Sequence, residues 1–140
     1  MAIPTKILLE IVTPDRALIR EEVDEIQLPG SEGYLGVLPG HTPLLTTLKV
    51  GELWYRVGAE KHYLAIAGGF AEILPDRATV LAHLAERAQD IDIARAEAAK
   101  RRAEERLAKP PSDIDFERAR IAMMKSLIRL QVASRARTRV

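Results

Sequence analysis

The chain has 140 residues, 47% hydrophobic and 29% charged, with 21 basic and 20 acidic side chains for a formal charge of +1. It has no cysteine and three histidines, which excludes disulfide staples, thiolate metal sites and cysteine nucleophiles and leaves little material for a histidine-rich metal site. The near-neutral charge is an average of two regions. Residues 1–90 carry 8 Lys/Arg against 13 Asp/Glu, and residues 91–140 carry 13 against 7. An acidic front and a basic tail follow, so electrostatic steering belongs to each region separately.

The first residues lack the basic stretch and cleavable apolar core of a signal peptide. No apolar run approaches the roughly 18 residues of a membrane span. Instead Ile7, Leu9 and Ile11 alternate with Lys6, Leu8 and Glu10, the period-two signature of a strand. Pro14-Asp15 ends it. Short runs follow at Val23–Leu28, Tyr34–Val37, Glu52–Val57, His62–Ala67, Phe70–Leu74 and Ala78–Leu84. Turn signals separate most of them: Pro29-Gly30, Pro39-Gly40, Gly58-Ala59-Glu60 and Pro75-Asp76. Many short strands with no intervening helical pattern predict an antiparallel sandwich or barrel.

Gly30, Gly33, Gly36 and Gly40 do not make a phosphate loop, because no Gly-Lys-Ser/Thr follows them. They read as bends in a small all-β unit. Gly68-Gly69 sits between two apolar runs and predicts a bulge or the close approach of a neighbouring backbone. His41 follows the Pro39-Gly40 turn. No nucleophile–base set accompanies it, so it reads as a structural or interface residue, and the chain offers no catalytic constellation.

From residue 90 the pattern turns helical. Asp90 is placed to cap the first helix and Asp92 to favour its first turn. Ala96, Ala99, Ala103 and Leu107 form an apolar stripe, with Glu97–Arg101 and Lys100–Glu104 spaced as ion pairs. Pro110-Pro111 stops the helix. Ser112 and Asp115 are spaced as a capping box for the second helix. Its expected stripe is Phe116, Ala119, Met123, Leu127, Leu130 and Ser134, widened by Ile121, Met124, Ile128 and Val132. Two stripes with a short connection predict an antiparallel hairpin. The alanine stripe is shallow and buries little, so this hairpin is expected to dock conditionally.

Asp90-Ile-Asp-x-x-Arg-Ala96 recurs as Asp113-Ile-Asp-x-x-Arg-Ala119. Shared helix-start chemistry explains the repeat. The functional reading is an anion site, with Arg95 and Arg102 on one helix and Lys125 and Arg129 on the other. The basic tail also admits a scaffold or nucleic-acid-binding module, although Glu97, Glu104 and Glu105 interrupt it and no aromatic platform accompanies it.

Three segments carry a resemblance that spans nearly the whole chain. They are Gly30-Ser-Glu-Gly-Tyr-Leu-Gly-Val-Leu-Pro-Gly-His-Thr-Pro-Leu-Leu45, Ala67-Gly-Gly-Phe-Ala-Glu-Ile73, and Asp90-Ile-Asp-Ile-Ala-Arg-Ala96 with Asp113-Ile-Asp-Phe116. Together they resemble the epsilon-subunit family of F-type ATP synthases. The resemblance implies a β-sandwich of about ten strands over 1–87 and a regulatory helical hairpin over 88–140. It implies a non-catalytic subunit of the central stalk, coupling rotation of the c ring to ATP synthesis while its helices restrain ATP hydrolysis. The implied partners are gamma and the c ring for the sandwich, and alpha and beta for the helices. The implied location is peripheral, on the cytoplasmic face of a bacterial cell membrane, with no nucleic acid, metal or required cofactor.

The turn Glu32-Gly33-Tyr34 resembles the family segment facing the c ring, with tyrosine where a polar or acidic residue often stands. His41 resembles a histidine near gamma. Some bacterial members hold regulatory ATP through an Ile/Leu-Asp-x-x-Arg-Ala motif, matched here by Ile91, Asp92, Arg95 and Ala96. Glu86, Arg102, Lys125 and Arg129 match the rest of that set. Lys125 stands where the ATP-binding forms carry arginine, and it lacks the fork geometry.

Overall fold

In the computed structural model, which describes residues 3–109 and 113–137, Ile7, Leu9 and Ile11 are wholly buried. Their alternation builds the first strand, β1 (Ile7–Val12). The remaining strands are β2 (Ala17–Val23), β3 (Glu25–Gly30), β4 (Gly33–Val37), β5 (Leu44–Val57), β6 (Glu60–Ile73), β7 (Arg77–Ala82) and β8 (Ala85–Arg87). A 3-10 turn at Ala88–Asp90 leads to α1 (Ile93–Ala108) and then α2 (Asp113–Arg137). The chain divides into two units, Met1–Ala85 and Glu86–Val140.

In the first unit the ladder runs β2-β1-β7-β6-β5-β3-β4. Its pairs are antiparallel except β1 with β7, which run parallel. The expectation of a purely antiparallel sheet is corrected there. The chain returns from β6 through β7 to lie beside its own first strand. β2 has no counterpart among the expected strands, because Arg20-Glu21-Glu22 breaks its alternation. It is an edge strand, and those three charges face solvent.

Two 14-residue strands, β5 and β6, form the middle of the ladder. Neither is uniform. On β6 the inward residues are Leu64 and Ile66, then Ala71 and Ile73, so the buried parity reverses between them. On β5 it reverses between Leu48 and Leu53. The pairing joins Leu48 with Gly69 and Val50 with Ala67 but skips Lys49 and Gly68. A parity reversal sends each half of a strand to a different layer of the sandwich. With each long strand counted as two segments, the eight strands become the ten that the resemblance implied. The glycine pair makes the turnover feasible. Gly69 has φ of 125°, and a Cβ there would lie 2.1 Å from the Leu81 carbonyl oxygen. The core between the layers gathers Ile7, Leu9, Ile11, Ile26, Leu28, Leu53, Leu64, Ile66, Ile73 and Val80, all almost fully buried.

The second unit is built differently. Its buried helical residues are Ala96 and Ala103 on α1, and Ala119, Ser126, Val132 and Ala133 on α2. Apart from Val132 they are small, and they recur every seven residues on each helix. Such a seam lets two backbones approach closely. The Ser126 hydroxyl donates to the Ala122 carbonyl at 2.8 Å, so this buried polar side chain of the seam is satisfied within its own helix. The expected stripe on α2 is corrected accordingly. Ala119 and Val132 face inward, but Phe116 and Leu127 are 40% and 47% exposed, and Ser134 is exposed. Pro110, Pro111 and Ser112, expected to end one helix and cap the next, lie outside the described residues.

Candidate functional site: the helical hairpin and the faces of the sandwich

The first helix starts two residues later than expected. Asp92, not Asp90, is its cap, and the Asp92 Oδ1 accepts from the Arg95 backbone N–H at 3.0 Å. Asp90 ends the preceding 3-10 turn. A β-region backbone at Asp92 followed by Ile93 is the usual geometry of a capping aspartate. Ile91 and Ala96 are buried on either side of this cap. The Arg95 side chain is exposed, and so is that of Arg102, two turns further along the same face. Of the two expected pairs on α1, Lys100–Glu104 forms at 3.8 Å. Glu97–Arg101 is not among the ion pairs of the described residues.

Arg129 on α2 meets Glu86, which lies 43 residues earlier. The Arg129 Nη2 donates to Glu86 Oε2 at 3.2 Å. The Nε lies 2.7 Å from Oε1, close enough for strong attraction, although its N–H points away from a hydrogen-bonding line. The two side chains keep 21% and 34% of their exposure, so the pair is partly shielded from solvent. Lys125, one turn before Arg129, is half-buried. Among the described residues Arg95, Arg102 and Lys125 have no ion-pair partner. Thus the structure brings Glu86 to Arg129 and ties Asp92 to the α1 start. It leaves three of the candidate cations uncompensated.

On the first unit, β3 and β4 are joined through Ser31-Glu32, with Gly30 paired to Gly33. The turn is anchored to β5, because the Ser31 N–H donates to the Thr47 carbonyl at 3.0 Å. Glu32 projects into solvent. Tyr34 is half-exposed, and its hydroxyl accepts from the Glu52 N–H at 3.2 Å. A Cβ on Gly51 would sit 3.0 Å from that hydroxyl and 2.5 Å from the Pro29 Cβ, so glycine there lets the tyrosine lie back across the sheet. The Lys49 ammonium stands 5.3 Å from the Tyr34 ring centre.

His41 occupies a separate loop. Its Nδ1 lies 2.6 Å from the Thr42 carbonyl oxygen, which can only accept, so the proton is on Nδ1 and Nε2 is the available nitrogen. The Gly40 N–H donates to the Pro75 carbonyl at 2.8 Å and pins this loop to the β6–β7 turn. Exposed Leu38, Leu44 and Leu45 flank it.

Sequence reasoning missed a further feature. Phe70 and Leu81 are partners across β6 and β7, both about half exposed. Their neighbours in register are Thr47 on β5 and Val12 on β1. This apolar row lies outward because of the parity reversal at Gly68-Gly69, and the alternation of each half of β6 read separately could have located it. Among the described residues no helix is long and apolar enough to cross a membrane, and no three His, Asp or Glu side chains converge as metal ligands.

The comparisons with known proteins bear on both units. The family model for the β-sandwich domain of the ATP synthase delta/epsilon chain matches residues 6–88. The model for the long α-helix domain of that chain matches residues 89–134. The ATP synthase epsilon chain of Syntrophobacter fumaroxidans is 51% identical over 130 residues, covering 93% of this chain and 97% of that protein. The epsilon chain of Nitratidesulfovibrio vulgaris is 48% identical over 128 residues, covering 91% and 96%. A chain of the Euglena gracilis mitochondrial ATP synthase, solved as OSCP/F1/c-ring, superposes with a TM-score of 0.83 at 26% identity, covering 96% of this chain and 84% of that one. These likenesses give no support to a basic-tailed scaffold or nucleic-acid module. The chain belongs to the delta/epsilon family of ATP synthase and matches its epsilon chains over nearly its whole length.

Proposed function

We propose that this chain is a non-catalytic central-stalk subunit whose sandwich attaches it to the rotor and whose helical hairpin regulates ATP hydrolysis. In this reading gamma takes the apolar faces near Phe70, Leu81 and the His41 loop. The c ring takes the exposed Glu32-Gly33-Tyr34 turn. The protein sits peripherally on the cytoplasmic side of a bacterial cell membrane, carried there by its partners.

The observation that carries the regulatory half is the inverted sorting of side chains in the hairpin. Alanines, a serine and Val132 fill the seam, while Phe116, Ile121 and Leu127 remain exposed. A helix that keeps several bulky apolar residues outside has a second apolar face to offer, and alpha and beta are the partners for it when the hairpin opens. The uncompensated Arg95, Arg102 and Lys125, beside Arg129, suit the phosphates of a regulatory ATP that would favour the closed hairpin.

The test is a synthase assembled with a chain lacking residues 90–140. The expected outcome is normal incorporation and faster ATP hydrolysis. An unchanged hydrolysis rate in a fully assembled complex would overturn the inhibitory role.

A further inference from the structure

The seam of the hairpin has a consequence for register. Ala119, Ser126 and Ala133 repeat every seven residues along α2, and Ala96 and Ala103 do so along α1. Sliding one helix by a heptad would again set small residues against small residues. The small-residue series alone therefore discriminates poorly between registers, and among the described helical residues Val132, whose heptad neighbour is Lys125, is the large buried side chain that opposes a slip.

Arg129 breaks the repetition as well. Ala122, Arg129 and Ala136 form the neighbouring heptad series on α2, so Arg129 stands where alanine stands one heptad before and one heptad after. Its guanidinium reaches Glu86, ahead of the Ala88–Asp90 turn, through the 2.7 Å and 3.2 Å approaches. α2 also packs on that turn. Glu86 is thus fixed relative to the start of α1 by only a few residues of chain.

We infer that the Glu86–Arg129 pair is the register lock of the hairpin, the contact that holds α2 closed on α1 in a single alignment. A slip of one heptad moves Arg129 by about 10 Å along the axis, far beyond reach of Glu86. The lock is a partly shielded charge pair, so it opens without dismantling an apolar core. A single polar contact setting alignment in a repetitive seam is a known use of buried polarity. The lock needs no bound ATP.

The test is a double-mutant cycle in the full-length chain without nucleotide: Glu86→Gln, Arg129→Gln, both together, and the reversed pair Glu86→Arg with Arg129→Glu. The readout is amide hydrogen exchange along α1 and α2, with the β1 amides as an internal control. Each single variant is expected to speed helical exchange about twofold to fivefold. The double variant should be no faster than the worse single, the reversed pair should recover part of the protection, and β1 should be unmoved. Helical exchange at the original rate in both single variants, or effects that multiply in the double, would overturn the lock. Faster exchange in β1 as well would mean general destabilisation and would equally overturn it.

Discussion

The two units solve the same problem, burying enough surface to stay folded, with different materials. The sandwich buries Ile, Leu and Val side chains from every layer around β1, β5, β6 and β7. The helices of the hairpin bury mainly alanines, with one serine and Val132, and leave Phe116, Ile121 and Leu127 exposed. A fully buried large aliphatic side chain contributes about 1.5–3 kcal/mol, and alanine much less. The difference teaches that resistance to opening is unequally distributed, and that the easily opened part is the part with apolar surface left over. A rotor attachment needs the first property and a switch needs the second.

The largest expected effect lies in the sandwich. Leu9→Ala would leave a cavity in the centre of the core and should cost about 2–5 kcal/mol, measured by chemical denaturation of the first unit. The helical signal should fall no more than global unfolding requires. Next comes Ala103→Leu, which forces a bulky side chain into the seam. It should cost about 1–3 kcal/mol in the helices alone, read from their far-ultraviolet signal. If Ala103→Leu were neutral, the close-packed seam would be refuted. Asp92→Ala removes the cap of α1 and should cost about 1 kcal/mol, again confined to the helical signal.

The smallest effect is the pH response of Asp24. A hydrogen bond from Lys6, at 2.5 Å, is the main cause that lowers its pKa, followed by the Gly58 N–H at 2.7 Å. A carboxylate lowered in the folded state stabilises above its ordinary pKa, and that contribution is lost as pH falls through the folded value. Asp24→Asn should therefore flatten the acid limb of the sandwich's stability curve and leave the hairpin's unchanged.

Part of the first unit was legible because the alternation of β1 is strict. Ile7, Leu9 and Ile11 announce β1 directly. β2 was not legible, since an edge strand needs charge on its outward side and Arg20-Glu21-Glu22 supplies three in a row. The continuity of β5 and β6 was hidden for another reason. Parity reversal at Gly68-Gly69 looks like a break between strands when it is a change of layer within one. In the helices, size misled. Phe116 and Leu127 have the hydrophobicity expected of a core, but the seam is filled mostly by alanine and serine, with Val132 the larger exception. The cap lies two residues further on, at Asp92, because Asp90 and Asp92 offer the same chemistry. The Glu86–Arg129 pair joins residues far apart in sequence, and no local pattern announces it. The resemblance named both residues, and the structure adds that they meet.

The inequality of the two units can be measured directly. Trp54 is the single tryptophan and lies on β5, beneath the Lys61 ammonium at 4.2 Å, so its fluorescence reports the sandwich. The circular dichroism of helices reports α1 and α2. Followed together through urea unfolding of the full chain, the helical signal is predicted to fall at lower urea than the Trp54 signal. Coincident transitions with one midpoint would contradict the account, because they would show the hairpin to be as firmly held as the sandwich.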